Sequence, residues 1–212
     1  MFSLDELLTY IGVAALLVVV PGPNSALILA QTLEGGRRAG LATVAGVELG
    51  TLMHTVAASL GLSAVLMRSA VAFDLIKLLG AVVLVFLGLR ELFGKNAASP
   101  AQSRDGSKTL GCGRALMRAL IGNLLNPKVA MFFLAFLPQW VHPARGSVVV
   151  QFFVLGSILS LLGGTCGAVL ALAAGQMVSH FAERMAIWRW QRRFTGMVLV
   201  GLGLRLIWLE RH

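Results

Sequence analysis

The stretch that decides the fold runs from Pro21 to Gly50 and reads PGPNSALILAQTLEGGRRAGLATVAGVELG. Apolar residues flank the PGPN segment, and a second apolar run containing Glu48 follows a short basic turn. Two prolines and a glycine remove intrahelical hydrogen bonds, so the sequence predicts a helix that is interrupted here. Inside a membrane, the freed backbone groups persist only where protein or a wet cavity satisfies them. A carboxylate in the next apolar run is also costly, so the two features together predict half of a transport site.

The composition of the chain is that of an integral membrane protein. It is 57% hydrophobic and 13% charged, with a mean hydropathy of +0.82, whereas about 25% of the residues of a typical globular protein are charged. The basic residues behind the net charge of +9 lie between apolar runs. We therefore attribute them to membrane topology and expect lipid, but no nucleic acid, as a partner. The two cysteines predict no disulfide, and no motif predicts a metal site or a cofactor.

Six apolar runs approach or exceed the length of about 20 residues that a membrane span needs. They cover residues 4–33, 39–66, 69–93, 114–140, 147–178 and 194–209. The sequence therefore predicts an all-α polytopic membrane protein with six transmembrane helices in one domain, residues 1–212. A polar loop, residues 94–113, joins a first half (1–93) to a second half (114–212).

The distribution of lysines and arginines predicts the orientation of the protein in the membrane. Twelve of the 18 fall in the first, third and fifth connections, and three fall in the second connection, the fourth connection and the C-terminal segment. Because cytoplasmic loops are enriched in these residues, we expect the odd connections in the cytoplasm and both termini outside.

An internal repeat relates the two halves. VLVFLGLR (83–90) and VLVGLGLR (198–205) agree at seven of eight positions. Three spans per half would invert the second half relative to the first, so the sequence predicts two inverted three-helix repeats, as in many secondary transporters. Chance similarity in a chain rich in leucine, valine and glycine is the alternative.

The fourth span contains a matching interruption, Asn126-Pro127, within GNLLNPK (122–128). Counted at about 1.5 Å per residue, Asn24, Glu48 and Asn126 lie at similar depths in their spans. On a helical wheel, Glu48, Thr51, Thr55, Ser59 and Ser63 share one face, which predicts a wet lining. The small residues of the opposite face and the glycines of the fifth span predict close helix packing. The candidate residues for substrate binding or coupling are therefore Pro21, Gly22, Pro23, Asn24, Glu48, Thr51, Thr55, Asn126, Pro127 and Lys128.

Two of these residues have alternative interpretations. Glu48 is either functional or a neutral acid that hydrogen-bonds a neighbouring helix. Lys128 contacts substrate, pairs with Glu48, or extends its ammonium towards the membrane surface.

The PGPN motif, the GRRAG turn (36–40), and LLNPK (124–128) with FFLAFLPQW (132–140) resemble the LysE/RhtB family of bacterial amino-acid exporters. The resemblance covers nearly the whole chain. It implies an inner-membrane protein of six helices that expels amino acids or close analogues, with the proton gradient as the expected driving force, and it implies no enzyme activity.

Three departures from the family pattern bear on the substrate. Many members have Asp where Thr51 stands, Tyr where Val83 stands, and an acidic residue in the fifth span, which here has none. Acidic function is thus concentrated on Glu48. The resemblance therefore favours the homoserine, threonine and leucine branch over the branch that exports basic amino acids.

The expected mechanism follows from the charges of a free amino acid. Half-helix N-termini offer N–H groups to its carboxylate, and freed carbonyls suit its ammonium. Asn24 and Asn126 both donate and accept, while Glu48 is the candidate ammonium partner or proton carrier. Two rival classes are an exporter of a metal ion or other small solute, and a membrane enzyme or thiol-electron carrier. The sequence leaves open the amino acid, the coupling ion and whether the protein forms a homo-oligomer.

Overall fold

The computed structural model describes residues 1–19, 22–93 and 111–181, together with residues 196, 197, 200, 201, 203 and 204. Pro21, most of the polar loop and most of the predicted sixth span lie outside the described residues. All regular structure in the described part is helical. In chain order the helices are α1 (Leu4–Val19), α2 (Pro23–Arg68), α3 (Ala70–Phe93), α4 (Cys112–Leu124), α5 (Pro127–Met131) and α6 (Val148–Phe181).

Between α5 and α6 the chain forms short helical turns of other kinds. A π-helical turn covers Phe132–Phe136, and 3₁₀ turns follow at Leu137–Trp140 and Pro143–Arg145. These turns extend α5 to the end of the predicted fourth span.

Among the described residues, two helical segments are long and apolar enough to cross a membrane, Pro23–Val65 and Val148–Ala174. A third is the pair Cys112–Leu124 and Pro127–Trp140, if the bent pair forms one span. α2 is itself divided at Gly36, whose φ of 75° is outside the helical region. The described part is therefore that of a polytopic helical membrane protein, while the count of six spans stays a prediction.

The first predicted interruption is confirmed. α1 ends at Val19 and α2 begins at Pro23, with Gly22 in an extended conformation as the N-cap of α2. Proline suits the first position of a helix because the N–H that it lacks has no intrahelical partner there.

The second predicted interruption is confirmed as well. α4 ends at Leu124 and α5 begins at Pro127, and the chain bends by 47° between Cys112–Leu124 and Pro127–Trp140. Asn126 is the N-cap of α5, and its Oδ1 accepts from the backbone N–H of Lys128 at 3.0 Å. The side chain thereby satisfies one of the donors that a helix start leaves free.

Close packing fixes α2 between α4 and α6. A Cβ at Gly46 would collide with the carbonyl of Leu116, and a Cβ at Gly50 would lie 2.8 Å from Nδ2 of Asn123. On the other side, a Cβ at Gly167 would lie 3.2 Å from Val44. The predicted small-residue packing is therefore confirmed at these positions.

The predicted wet face of α2 is wrong beyond Thr51. Thr55, Ser59 and Ser63 are buried, and each hydroxyl donates to a carbonyl of its own helix. Gly156 of α6 packs directly on Thr55. A hydroxyl that bonds its own backbone can pack against protein, so a polar stripe does not by itself indicate water.

The two copies of the repeat motif touch. A Cβ at Gly88 would lie 2.8 Å from the carbonyl of Gly196, and a Cβ at Gly203 would lie 2.8 Å from that of Ala81. This order of contacts makes the two segments antiparallel, as an inverted repeat requires. Antiparallel helices also pack without any repeat, so the inverted repeat stays a prediction.

Candidate functional site

A cavity of about 110 Å³ lies between the two helix interruptions and α6. This volume exceeds several-fold the roughly 10–15 Å³ that one water molecule requires. Its lining comes from the end of α1, both halves of α2, the second interruption and α6: Leu17, Val18, Gly22, Pro23, Asn24, Ser25, Ile28, Val47, Glu48, Thr51, Asn126, Lys128, Val129, Phe132, Leu159, Gly163, Cys166, Gly167 and Leu170.

The cavity brings together seven of the ten predicted site residues, from three segments of the chain. Of the other three, Pro127 is exposed and does not line the cavity. Thr55 is fully buried against α6 and does not line it either. Pro21 lies outside the described residues. The residues along the cavity wall are Gly22, Pro23, Asn24, Glu48, Thr51, Asn126 and Lys128.

Three asparagines connect the two interruptions. Asn126 Nδ2 donates to Asn24 Oδ1 at 3.1 Å, and Asn24 Nδ2 donates to Asn123 Oδ1 at 2.9 Å. Asn123 Nδ2 in turn donates to the carbonyl of Val47 at 2.6 Å and to Thr51 Oγ1 at 3.0 Å. We call this set of hydrogen bonds the asparagine chain. It fixes the orientation of each amide, because each one both donates and accepts.

Lys128 extends from the second interruption towards the first. Its Nζ donates to the carbonyl of Leu17 at 3.1 Å, close to the end of α1. A Cβ at Gly22 would lie 3.5 Å from the same Nζ. The ammonium thus satisfies a carbonyl that the end of α1 leaves without a helical partner.

Glu48 occupies the narrow space between α2 and α6. Its Oε2 accepts a hydrogen bond from Ser160 Oγ at 2.7 Å. A Cβ at Gly163 would lie 2.7 Å from the other carboxylate oxygen. Glycine at position 163 is therefore what makes room for the carboxylate beside the cavity.

Apolar residues bound the polar layer in two clusters. Leu17, Phe132 and Leu159 line the cavity and belong to the larger cluster, which also buries Tyr10 and Phe136. The smaller cluster contains Ile28, Val44 and Ala171, with Leu170 packed against it. The cavity therefore offers polar groups in the middle and aliphatic or aromatic surface on either side.

Sequence reasoning missed Asn123 and Ser160 as members of the site. Asn123 stood in the quoted motif GNLLNPK, but only Asn126, Pro127 and Lys128 were selected from that motif. Ser160 lay among glycines whose spacing indicated packing only. A signal was available for both, since each is a polar residue within a predicted span.

Chemistry that needs a metal cluster has no support in the described part of the chain. No group of three or more His, Cys, Asp or Glu side chains there is placed to hold a metal ion. His54, the histidine nearest the site, stacks on Phe133 and has its Nε2 3.4 Å from the carbonyl of Asn123.

Interrupted helices around a polar cavity are a recurrent arrangement of membrane transport proteins, and the described fold and site define this class. Comparison with known proteins gives the family. The chain belongs to the LysE type translocator family, whose pattern matches residues 15–209. The family resemblance inferred from the motifs is thus confirmed, and the family is one of translocators rather than enzymes.

Several relatives align over nearly their whole length. The chain is 32% identical to an uncharacterized membrane protein, YrhP, of Bacillus subtilis (strain 168), over 95% of this chain and 98% of the relative. It is 28% identical to the leucine efflux protein of Salmonella typhimurium, over 95% and 94%. It is 27% identical to the leucine efflux protein of Klebsiella pneumoniae, over 99% and 98%. No solved structure is significantly similar to the chain.

Proposed function

We propose that this protein is a secondary transporter that exports a neutral, aliphatic amino acid from the cytoplasm across the bacterial inner membrane, coupled to proton entry. The cavity carries the proposal: Glu48 and Lys128, which differ in charge, line one space between two helix interruptions. Family membership and relatives named for leucine efflux support an amino acid as the substrate.

The polar layer suits both charged groups of an amino acid. The first residues of α2, Pro23, Asn24 and Ser25, line the cavity. The start of a helix favours a carboxylate, and the Lys128 ammonium adds positive charge. Glu48 supplies the negative charge that an ammonium requires. Asn24 and Asn126 complete the layer with amides that can donate or accept.

The side chain of the substrate then faces the apolar part of the lining. The apolar lining includes Ile28, Val47 and Leu170, together with Leu17 and Phe132. A lysine-like substrate would need a second carboxylate for its side chain, and Glu48 is the one acidic residue among the described residues of the lining. The lining therefore favours leucine and similar amino acids over basic ones.

Coupling is assigned to Glu48 because its carboxylate reaches both the cavity and α6. Protonated from outside, it would leave the ammonium without a counterion and release the substrate. Deprotonated towards the cytoplasm, it would bind the next ammonium. Each turnover would move one amino acid out and one proton in.

The test is an export assay in cells with and without the protein. Cells are fed dipeptides that release leucine, isoleucine, valine, threonine, homoserine or lysine, and the external amino acids are measured with time. We expect faster appearance of leucine and its aliphatic relatives and an unchanged rate for lysine. Dissipating the proton gradient should abolish the difference.

Equal rates with and without the protein for every amino acid would reject the proposal. Protection of growth against a divalent metal in those same cells would instead favour the metal exporter. Membrane levels of the protein, measured by immunoblot, must be equal between the compared samples.

A further inference from the structure

Asn123 lies behind the wall of the cavity rather than in it. Its side chain is fully buried, and it is absent from the cavity lining, unlike Asn24 and Asn126. It nevertheless contacts the first interruption, at Asn24, and the middle of α2, at Val47 and Thr51, through three hydrogen bonds.

We infer that Asn123 is the positioning residue of the transport site: it sets the orientation in which Asn24 meets the substrate and ties that orientation to α2. The inference rests on the proposed function, since it assigns the cavity to an amino acid. Asn123 itself does not touch the substrate.

Donors and acceptors determine the orientation of each amide. An amide has one acceptor oxygen and one NH₂ group, and reversing it exchanges the two. Asn123 Oδ1 accepts from Asn24, so the oxygen of Asn24 must point to Asn126. The orientation of the Asn123 amide is fixed as well, because its NH₂ group donates to the Val47 carbonyl, which can only accept. The contact with α2 thus sets the donor-to-acceptor direction of every hydrogen bond in the asparagine chain.

Burial makes this direction strongly preferred. A reversed Asn123 would place its oxygen against the Val47 carbonyl and leave both unsatisfied in a site with no water access. Gly50 permits the arrangement, because a Cβ there would lie 2.8 Å from Nδ2 and 2.9 Å from Cβ of Asn123. Two separate residues, Asn123 and Gly50, therefore maintain one contact.

Substitutions from both sides test the inference. Asn123→Ala removes the side chain, and Gly50→Ala displaces it from α2. Gly61→Ala is the matched control, since it changes a glycine of the same helix that has no atom within 4 Å of its Cβ position. We expect the first two variants to raise the substrate concentration for half-maximal export about tenfold, and Gly61→Ala to leave it unchanged.

Asn123→Asp separates positioning from packing. The aspartate keeps the acceptor that Asn24 needs and loses only the donor to the Val47 carbonyl, whereas alanine loses both. A positioning role predicts tighter substrate binding for Asn123→Asp than for Asn123→Ala. A role in packing alone predicts the reverse, because a buried charge beside the Val47 carbonyl is more damaging than a small cavity.

Binding is measured at Cys166, which lines the cavity. In a Cys112→Ser background, which removes the exposed second thiol, leucine should slow alkylation of Cys166 by a membrane-permeant maleimide. The leucine concentration for half protection reports affinity without requiring transport, and samples are normalised to protein in the membrane. If Asn123→Ala does not insert, Gly50→Ala and Asn123→Asp provide the comparison.

Different results would reject the transport function and the role of Asn123. Absence of both leucine export and protection in the Cys112→Ser background would reject the proposed function. Normal half-protection concentrations in the Asn123→Ala and Gly50→Ala variants, with export intact, would reject the role of Asn123 alone. Weaker protection in both variants, with Asn123→Asp closer to wild type, supports the inference.

Discussion

Glu48 combines a fixed hydrogen bond with free space. Ser160 donates to one carboxylate oxygen, while Gly163 leaves room beside the other. The side chain is only partly buried, because it also borders the cavity. A purely structural acid would be enclosed by donors on both oxygens, so this environment is better suited to a group that exchanges partners.

Substitution by glutamine distinguishes titration from hydrogen bonding. Glu48→Gln keeps an oxygen that can accept from Ser160 but cannot bind and release a proton. We predict normal insertion, loss of gradient-driven export, and partial export for Glu48→Asp. The measurement is external leucine after dipeptide feeding.

The outcome also separates the two roles of this carboxylate. If Glu48→Gln exchanges leucine across the membrane without net accumulation, Glu48 carries the coupling proton. If leucine no longer protects Cys166 in this variant, Glu48 binds the substrate ammonium. Glu34→Gln, which changes an exposed carboxylate of the same helix, should export normally. Wild-type export by Glu48→Gln would exclude both roles.

The site residues that could be predicted from the sequence are those whose side chains have a high free-energy cost in a membrane. Glu48 and Lys128 carry charge, and Asn24 and Asn126 adjoin prolines, so an apolar context makes all four conspicuous. Ser160 is small and only weakly polar, and in a glycine-rich stretch it is equally compatible with packing. Its role depends on a contact with another helix, which residue spacing does not contain.

At the level of helices, the two interruptions are capped differently. Gly22 provides no side-chain cap for α2, whereas Asn126 caps α5 with its own oxygen. The positions of both breaks could be predicted, because proline excludes the preceding residue from the helical region. The burial of the hydroxyl face of α2 could not, because periodicity identifies a face but not what covers it.

This difference gives an expectation for the second interruption. Pro127 occupies the first position of α5, where its missing N–H costs little, so Pro127→Ala alone should reduce export only several-fold. Removing the cap as well, in Asn126→Ala with Pro127→Ala, allows α4 to continue into α5. We predict that the double variant inserts but does not export.

The export assay above provides the measurement, and Pro143→Ala is the control. Pro143 also begins a short helical turn but is exposed and does not line the cavity. Equal export by the single and double variants would show that the break does not depend on the Asn126 cap.

For the whole molecule, an ion pair relates the N-terminus to a distant loop. Arg145 Nη1 donates to both carboxylate oxygens of Glu6 at 2.8 Å. Gln151 stiffens this loop, because its side chain bonds both the N–H and the carbonyl of His142. An exposed ion pair contributes little stability, but its geometry has a topological consequence: the N-terminus and this loop must lie on the same side of the membrane.

The Lys and Arg distribution and this contact lead to one prediction of topology. Epitope tags inserted at the N-terminus, after Ser69 and after Ala144 should react with antibody from outside in spheroplasts. A tag after Ala98, in the long basic connection, should react only after the membrane is permeabilised, because the odd connections hold most of the positive charge. Ala98 and Ala144 on the same side would contradict the six-span topology and the inverted repeat. An N-terminal tag opposite Ala144 would be incompatible with the contact between Glu6 and Arg145.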